Sequence, residues 1–201
     1  RSAFTALALG RFDTATTPEE QAVWAGLVVN AAGICLRMKE DVPWALRARG
    51  IVFGRTGKVD RGLEDLRRAS RRFKELGLED SRVEAEIGHL LLVKQEQTRA
   101  LRNLRRAVEL DTDYAAAWSD LGLALIMTGD REGAENALTR AIELDPTAVA
   151  AWYNRGLMHL HAGDLDLAEA DLDKAAELAP DNQDVARLLQ QVNRRRSESD
   201  Q

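Results

Sequence analysis

The sequence predicts an all-α fold made of stacked helix-turn-helix units, and three observations carry that reading. The 201 residues are 45% hydrophobic and 30% charged, rich in Ala, Leu, Glu and Arg and poor in β-branched residues, a composition that favours helix. Residues recur at one fixed offset over the C-terminal half. Between them run apolar stripes at spacings of three and four, broken by Gly-Asp and Asp-Pro steps.

The offset is 34 residues. It relates Trp118 to Trp152, Gly122 to Gly156, Gly129 to Gly163, Ala134 to Ala168, Leu138 to Leu172, Ala141 to Ala175 and Pro146 to Pro180. One step back it reaches Gly88, Ala100, Leu104 and Ala107. The units are therefore 81–114, 115–148 and 149–182. Gly50, Leu66 and Ala69 place a further unit at 43–80, with Gly77-Leu78-Glu79-Asp80 as four extra residues in its closing turn.

Each element has a local cause. Over 1–42 no clear repeat is visible, and this segment is read as a degenerate repeat or cap. Residues near Ala3–Leu9 suit a short helix, and Gly10-Arg11-Phe12-Asp13 resembles an inter-helix turn. Thr17-Pro18-Glu19-Glu20 starts a longer helix that the pattern carries to about Lys39, with Thr17 as cap, Pro18 in the first position and Glu20 completing a capping box. In 115–148 the first helix carries Trp118, Leu121, Gly122 and Leu125. Gly129 stops it and Asp130 caps the next, which carries Ala134, Leu138, Ala141 and Ile142 until Asp145-Pro146 ends it. Gly122 and Ala134 leave room for the two helix backbones to approach. One hairpin cannot bury its own stripe, so the units must stack. A capping helix is expected over 183–196, through Val185, Leu188, Leu189 and Val192, followed by a polar tail at 197–201.

The pattern Trp118, Leu121, Gly122, Leu125, Ala134, Leu138, Ala141, Pro146 resembles the tetratricopeptide repeat. Unit 149–182 matches through Trp152, Gly156, Ala168, Leu172, Ala175 and Pro180, but has Arg155 where Leu is usual and His159 where Tyr is usual. Unit 81–114 has Glu84 for the aromatic and Thr112 for Pro, and unit 43–80 lacks the aromatic and has Gly62 for Ala. The resemblance spans about 140 residues and implies a right-handed α-α superhelix whose first helices line a concave groove. It also implies that the groove wall includes Arg47, Arg55, Arg82, His89, Leu123, Ile126, Met127, Tyr153, Leu157, Leu160 and His161. The apolar members suggest a trough with a basic entrance at Arg47, Arg55 and Arg82, fit for a peptide or an amphipathic helix. The competing reading fills that trough with one of the chain's own terminal helices. The Lys and Asn pair by which chaperone-binding members hold a peptide's terminal carboxylate has no counterpart at Arg47/Ile51, Ala85/His89, Ser119/Leu123 or Tyr153/Leu157.

Catalytic and cofactor signatures are absent from the sequence: there is no glycine-rich phosphate loop, no His-Glu-x-x-His and no calcium loop. No cofactor or metal is expected. His159 and His161 are two apart on a helix and point in different directions, so His159 reads as a core residue rather than a metal ligand. Cys35, the single cysteine, reads as a small buried hydrophobe. No uninterrupted apolar run is long enough to cross a bilayer. The chain opens Arg1-Ser2-Ala3 without Met, as a trimmed start would, and shows no signal peptide, which leaves cytoplasm and periplasm both open. The Ala- and Arg-rich, Lys-poor repeats have a bacterial look.

The net charge of −5 averages unlike parts. Residues 43–80 carry ten basic and six acidic groups, 115–148 two and six, and 149–182 two and seven. The late acidic units and the lack of a basic inner stripe argue against nucleic acid. The asymmetry admits head-to-tail self-association. The function that follows is a non-catalytic scaffold or adaptor for a protein partner. The alternatives are the regulatory module of a larger enzyme or assembly complex and, less favoured, an RNA-binding helical repeat.

Overall fold

A computed structural model describes residues 2–38 and 42–199, with the side chains of residues 2–4 and 199 outside that description. Among the described residues there are eleven α-helices and no strand. The chain divides into two compact units, 1–95 and 96–201. The division falls between the two helices of the stretch that the sequence reads as unit 81–114.

The first unit holds α1 (Ser2–Thr14), α2 (Pro18–Met38), α3 (Pro43–Arg55), α4 (Val59–Glu75) and α5 (Ser81–Val93). Helix α2 begins where its capping signal lies. Thr17 Oγ1 accepts from the Glu20 amide at 3.2 Å, but the Glu20 carboxylate reaches back to the Thr16 amide, also at 3.2 Å, rather than to that of Thr17. The helix is followed to Met38, and the expected terminus at Lys39 lies outside the described residues. Ala8 and Phe12 of α1, Ala25 and Val28 of α2 and Ala48 and Val52 of α3 form one buried cluster. Asp80 caps α5 by accepting from the Val83 amide at 3.2 Å.

One long helix bears on the reading of the apolar runs. Helix α2 is 21 residues long with a mean hydropathy of 1.3 over its most apolar window, enough by length and composition to cross a membrane. Gly26, Asn30 and Gly33 interrupt the run without lowering its average below that of a spanning helix. The cause is that α2 is apolar on two opposite faces. Ala25, Val28 and Ala32 are buried, while Val23, Leu27, Ile34 and Met38 are exposed.

The second unit holds α6 (Gln97–Leu110), α7 (Ala115–Thr128), α8 (Arg131–Leu144), α9 (Val149–Ala162), α10 (Leu165–Leu178) and α11 (Gln183–Ser199). Gly129 and Gly163 end α7 and α9 in the left-handed region, at φ 83° and 88°, where a side chain would be strained. Asp130 accepts from the Gly133 amide at 3.0 Å and starts α8. The glycine eight residues into a first helix sets the packing distance. A Cβ on Gly122 would sit 2.5 Å from Leu138 Cγ, and one on Gly156 would sit 2.7 Å from Leu172 Cγ. In the first unit Gly50 stands against Leu66 Cγ in the same way, at 2.8 Å. The partner that requires glycine is thus the second helix's leucine, sixteen residues on, more than Ala134 or Ala168. The tryptophans clamp the preceding turn: Trp118 Nε1 donates to Thr112 O at 2.9 Å and Trp152 Nε1 to Pro146 O at 3.0 Å. Helix α11 continues a turn past the expected cap, and its Val185, Leu188 and Val192 are buried.

Candidate functional site

In the first unit the residues expected to line the groove lie on α3 and α5. Arg47 is half-buried and ion-paired with Asp80. Arg55 is paired with Asp13 and, at 3.0 Å, with Glu86. These two cations of the expected basic entrance are therefore neutralised by neighbouring carboxylates. Arg82 and His89 are exposed on α5, and so is Val93. Beside Arg47 lies a cavity of about 410 Å³ walled by Leu9, Cys35, Trp44, Ala45 and Ala48. Trp44 is 46% exposed and meets Phe73 edge-on at 5.4 Å. Cys35 is half-buried on this cavity rather than enclosed in the core. Sequence reasoning missed the cavity because α1 forms one wall of it, and nothing in the residues of α1 fixes where that helix docks.

In the second unit the residues expected to line the groove lie on α7 and α9. Met127 is 42% exposed, His161 is exposed, and Leu123 is half-buried. Ile126 is half-buried against Leu138, Ala141, Ile142 and Ala151. Leu160 is 1% exposed and belongs to the core formed with Ala168, Leu172, Leu188 and Val192, against which Tyr153 and Leu157 also pack. Helix α11 thus draws Tyr153, Leu157 and Leu160 into its own contact. Burial and the nearby Asp184 carboxylate raise the Tyr153 phenol above its ordinary value, against the smaller opposite effect of Arg187. The α7 side, around Leu123 and Met127, and His161 at the edge of α9 stay outside that contact.

The substitutions in unit 149–182 have a structural partner. Arg155 donates through Nε and Nη2 to both oxygens of Asp171, at 2.8 and 2.7 Å, and through Nη1 to Thr139 at 3.1 Å. It also lies over the Trp152 ring, at 5.1 Å. Arg49 grips Asp65 in the same bidentate way, at 2.6 and 2.8 Å. The aspartate hydrogen bonds hold both guanidiniums protonated, raising them against the opposing effect of burial. His159 is buried, with Nε2 3.6 Å from both Asp171 and Glu135. Its Nδ1 has no hydrogen-bond partner. Among the described residues no three His, Cys, Asp or Glu side chains group so as to hold a metal ion.

Residues 96–154 and 128–183 each match the tetratricopeptide repeat family. Over those residues the chain carries tetratricopeptide repeats. No curated protein sequence matches it. Among solved structures it is similar to TTC0263, a thermophilic protein of this family from Thermus thermophilus, at 20% identity over 94% of this chain and 98% of that one, with a TM-score of 0.71. It is similar to YrrB, described as having an unusual peptide-binding site, at 23% identity over 84% and 83% of the two chains and a TM-score of 0.61. The first repeat domain of Spaghetti (RPAP3), bound to the HSP90 peptide SRMEEVD, matches 58% of this chain and 93% of its own at 18% identity, with a TM-score of 0.56. At these identities the likeness establishes the fold.

Proposed function

We propose that the chain is a non-catalytic interaction module that binds an extended or helical peptide segment of a partner protein on the first-helix face of its second unit. The observation that carries this reading is the apolar surface of α7, where Leu123 and Met127 retain exposure while α11 occupies the corresponding stretch of α9. Peptide binding by YrrB and by the Spaghetti domain supports the class of ligand. The side chains at the clamp positions do not support a chaperone tail as that ligand. A peptide reaching this face meets apolar surface on α7 and an imidazole at His161, so its anchors are expected to be aliphatic or aromatic.

A random peptide library displayed against the chain tests this. Selected peptides are expected to lose tenfold or more in affinity for Leu123→Glu and Met127→Glu, neither of which replaces a buried core residue. Binding unchanged in both variants removes the α7 face as the site. Leu157→Glu is a poor probe, because Leu157 packs beneath α11 and its replacement acts on the fold.

A further inference from the structure

The outward face of α2 carries an exposed apolar stripe. On a helix with 3.6 residues per turn, Val23, Leu27, Asn30, Ile34 and Arg37 fall on one stripe, diametrically opposite the buried Ala25, Val28 and Ala32. Val23 is 61% exposed, Leu27 37% and Ile34 43%. Gly26 flanks the stripe, and a Cβ added there would meet nothing within 4 Å, so the backbone is open to close approach by another helix.

We infer that this stripe mates with the same stripe of a second copy of the chain, the two α2 helices antiparallel about a two-fold axis. The spacing is self-complementary. Setting the axis beside the midpoint of Val28 and Val29 puts Val23 opposite Ile34, Leu27 opposite Asn30 and Glu20 opposite Arg37, each contact occurring twice. Charge agrees with this register: α2 begins with Glu19 and Glu20 and ends with Arg37, so reversing one helix sets unlike charges together at both ends. A parallel arrangement would stack like charges. A lipid surface is the poorer occupant. The stripe has acidic groups at one end, Asn30 at its centre and one cation, where a helix lying on a membrane carries several. A fully inserted α2 would also have to abandon its packing of Ala25 and Val28 against α1 and α3. A contact along a helix of about 30 Å is small by the standard of stable dimers, so the association is expected to be micromolar or weaker.

Sedimentation equilibrium of the chain across a concentration series reads the result. The expected outcome is a reversible monomer–dimer equilibrium whose dissociation constant rises tenfold or more in Leu27→Glu and in Ile34→Glu, with the helical circular dichroism unchanged because both side chains face outward. Leu167→Glu, at a still more exposed leucine on α10, should leave it unaltered. Arg37→Glu should weaken the dimer, and Glu20→Arg in the same chain should restore part of the loss. A chain monomeric at its highest soluble concentration overturns the inference, as does a dimer indifferent to Leu27→Glu and Ile34→Glu. Capture of the monomer by phosphatidylcholine–phosphatidylglycerol vesicles, lost in Ile34→Glu, would assign the stripe to lipid instead.

Discussion

Arg155 and Asp171 show how a departure from the repeat pattern can be two linked changes. In unit 115–148 the equivalent positions are Leu121 and Ala137, both buried and apolar. In 149–182 both are charged and meet in a bidentate pair, with side-chain exposures of 16% and 6%. Arg49 and Asp65 repeat the exchange at the same separation of sixteen residues. A buried ion pair is little better than an apolar pair of the same shape, but half of one is costly. Asp171→Ala is therefore expected to destabilise by about 2–3 kcal/mol, since it strands the guanidinium. Arg155→Leu combined with Asp171→Ala restores the pair used by unit 115–148 and should return to within about 1 kcal/mol of the parent. Urea denaturation of the two single variants and the double variant measures the coupling. Strictly additive losses would show that the pair is not linked. The sequence exposes Arg155 as an irregularity, and the recurrence of Arg and Asp at matched positions in two units was the available signal for its partner. The orphaned Nδ1 of His159 had no such signal, because it depends on which atoms the folded core leaves within reach.

At the scale of elements, turns written in local chemistry were legible: Gly129-Asp130 is a left-handed stop followed by a cap, and Thr17-Pro18 opens α2. The capping contact of α11 was readable from Val185, Leu188, Leu189 and Val192, but the contacts of α1 were not, since it lacks an aligned partner unit that would show where it docks. This is why the cavity beside Trp44 emerges only from the fold, whereas the packing of α11 on Leu160 realises in part the expectation that a terminal helix fills the trough. Helix α11 is a structural cover for α9 and α10, and one residue tests it. Val192 is fully buried between Leu160, Leu172 and Leu188. Val192→Ala should cost about 2 kcal/mol, the loss of two buried methyl groups plus the space they leave. It should also move the Tyr153 titration down toward its ordinary value of 10.0, because a loosened α11 lets water reach the phenol. The sign follows from linkage. With its pKa raised in the fold, neutral Tyr153 contributes stability that is complete below 10.0 and fades as the pH rises beyond it. A destabilised variant with an unmoved phenol titration would mean that α11 does not shield Tyr153.

For the molecule as a whole, charge separates two ways in which copies could meet. Residues 1–95 have a net charge of +3 and residues 96–201 of −8. A head-to-tail arrangement would pair these unlike units and draw on long-range attraction. The two-fold contact through α2 instead joins the two positive units of neighbouring copies, and it depends on Val23, Leu27 and Ile34 more than on charge. Salt acts oppositely on the two. At about 1 M the screening length falls to about 3 Å, which removes attraction between unlike units as well as repulsion between like ones. Apolar burial survives, and only the exposed Glu20–Arg37 contacts of the two-fold arrangement weaken, at less than about 1 kcal/mol each. Dimerisation through α2 is therefore expected to persist at high salt, with a dissociation constant no more than a few-fold changed. Sedimentation at low and high salt, on the parent and on Ile34→Glu, reads both effects. Association that disappears in salt and ignores Ile34→Glu would place the contact between the basic and acidic units. Association that survives salt and is lost in Ile34→Glu places it on α2.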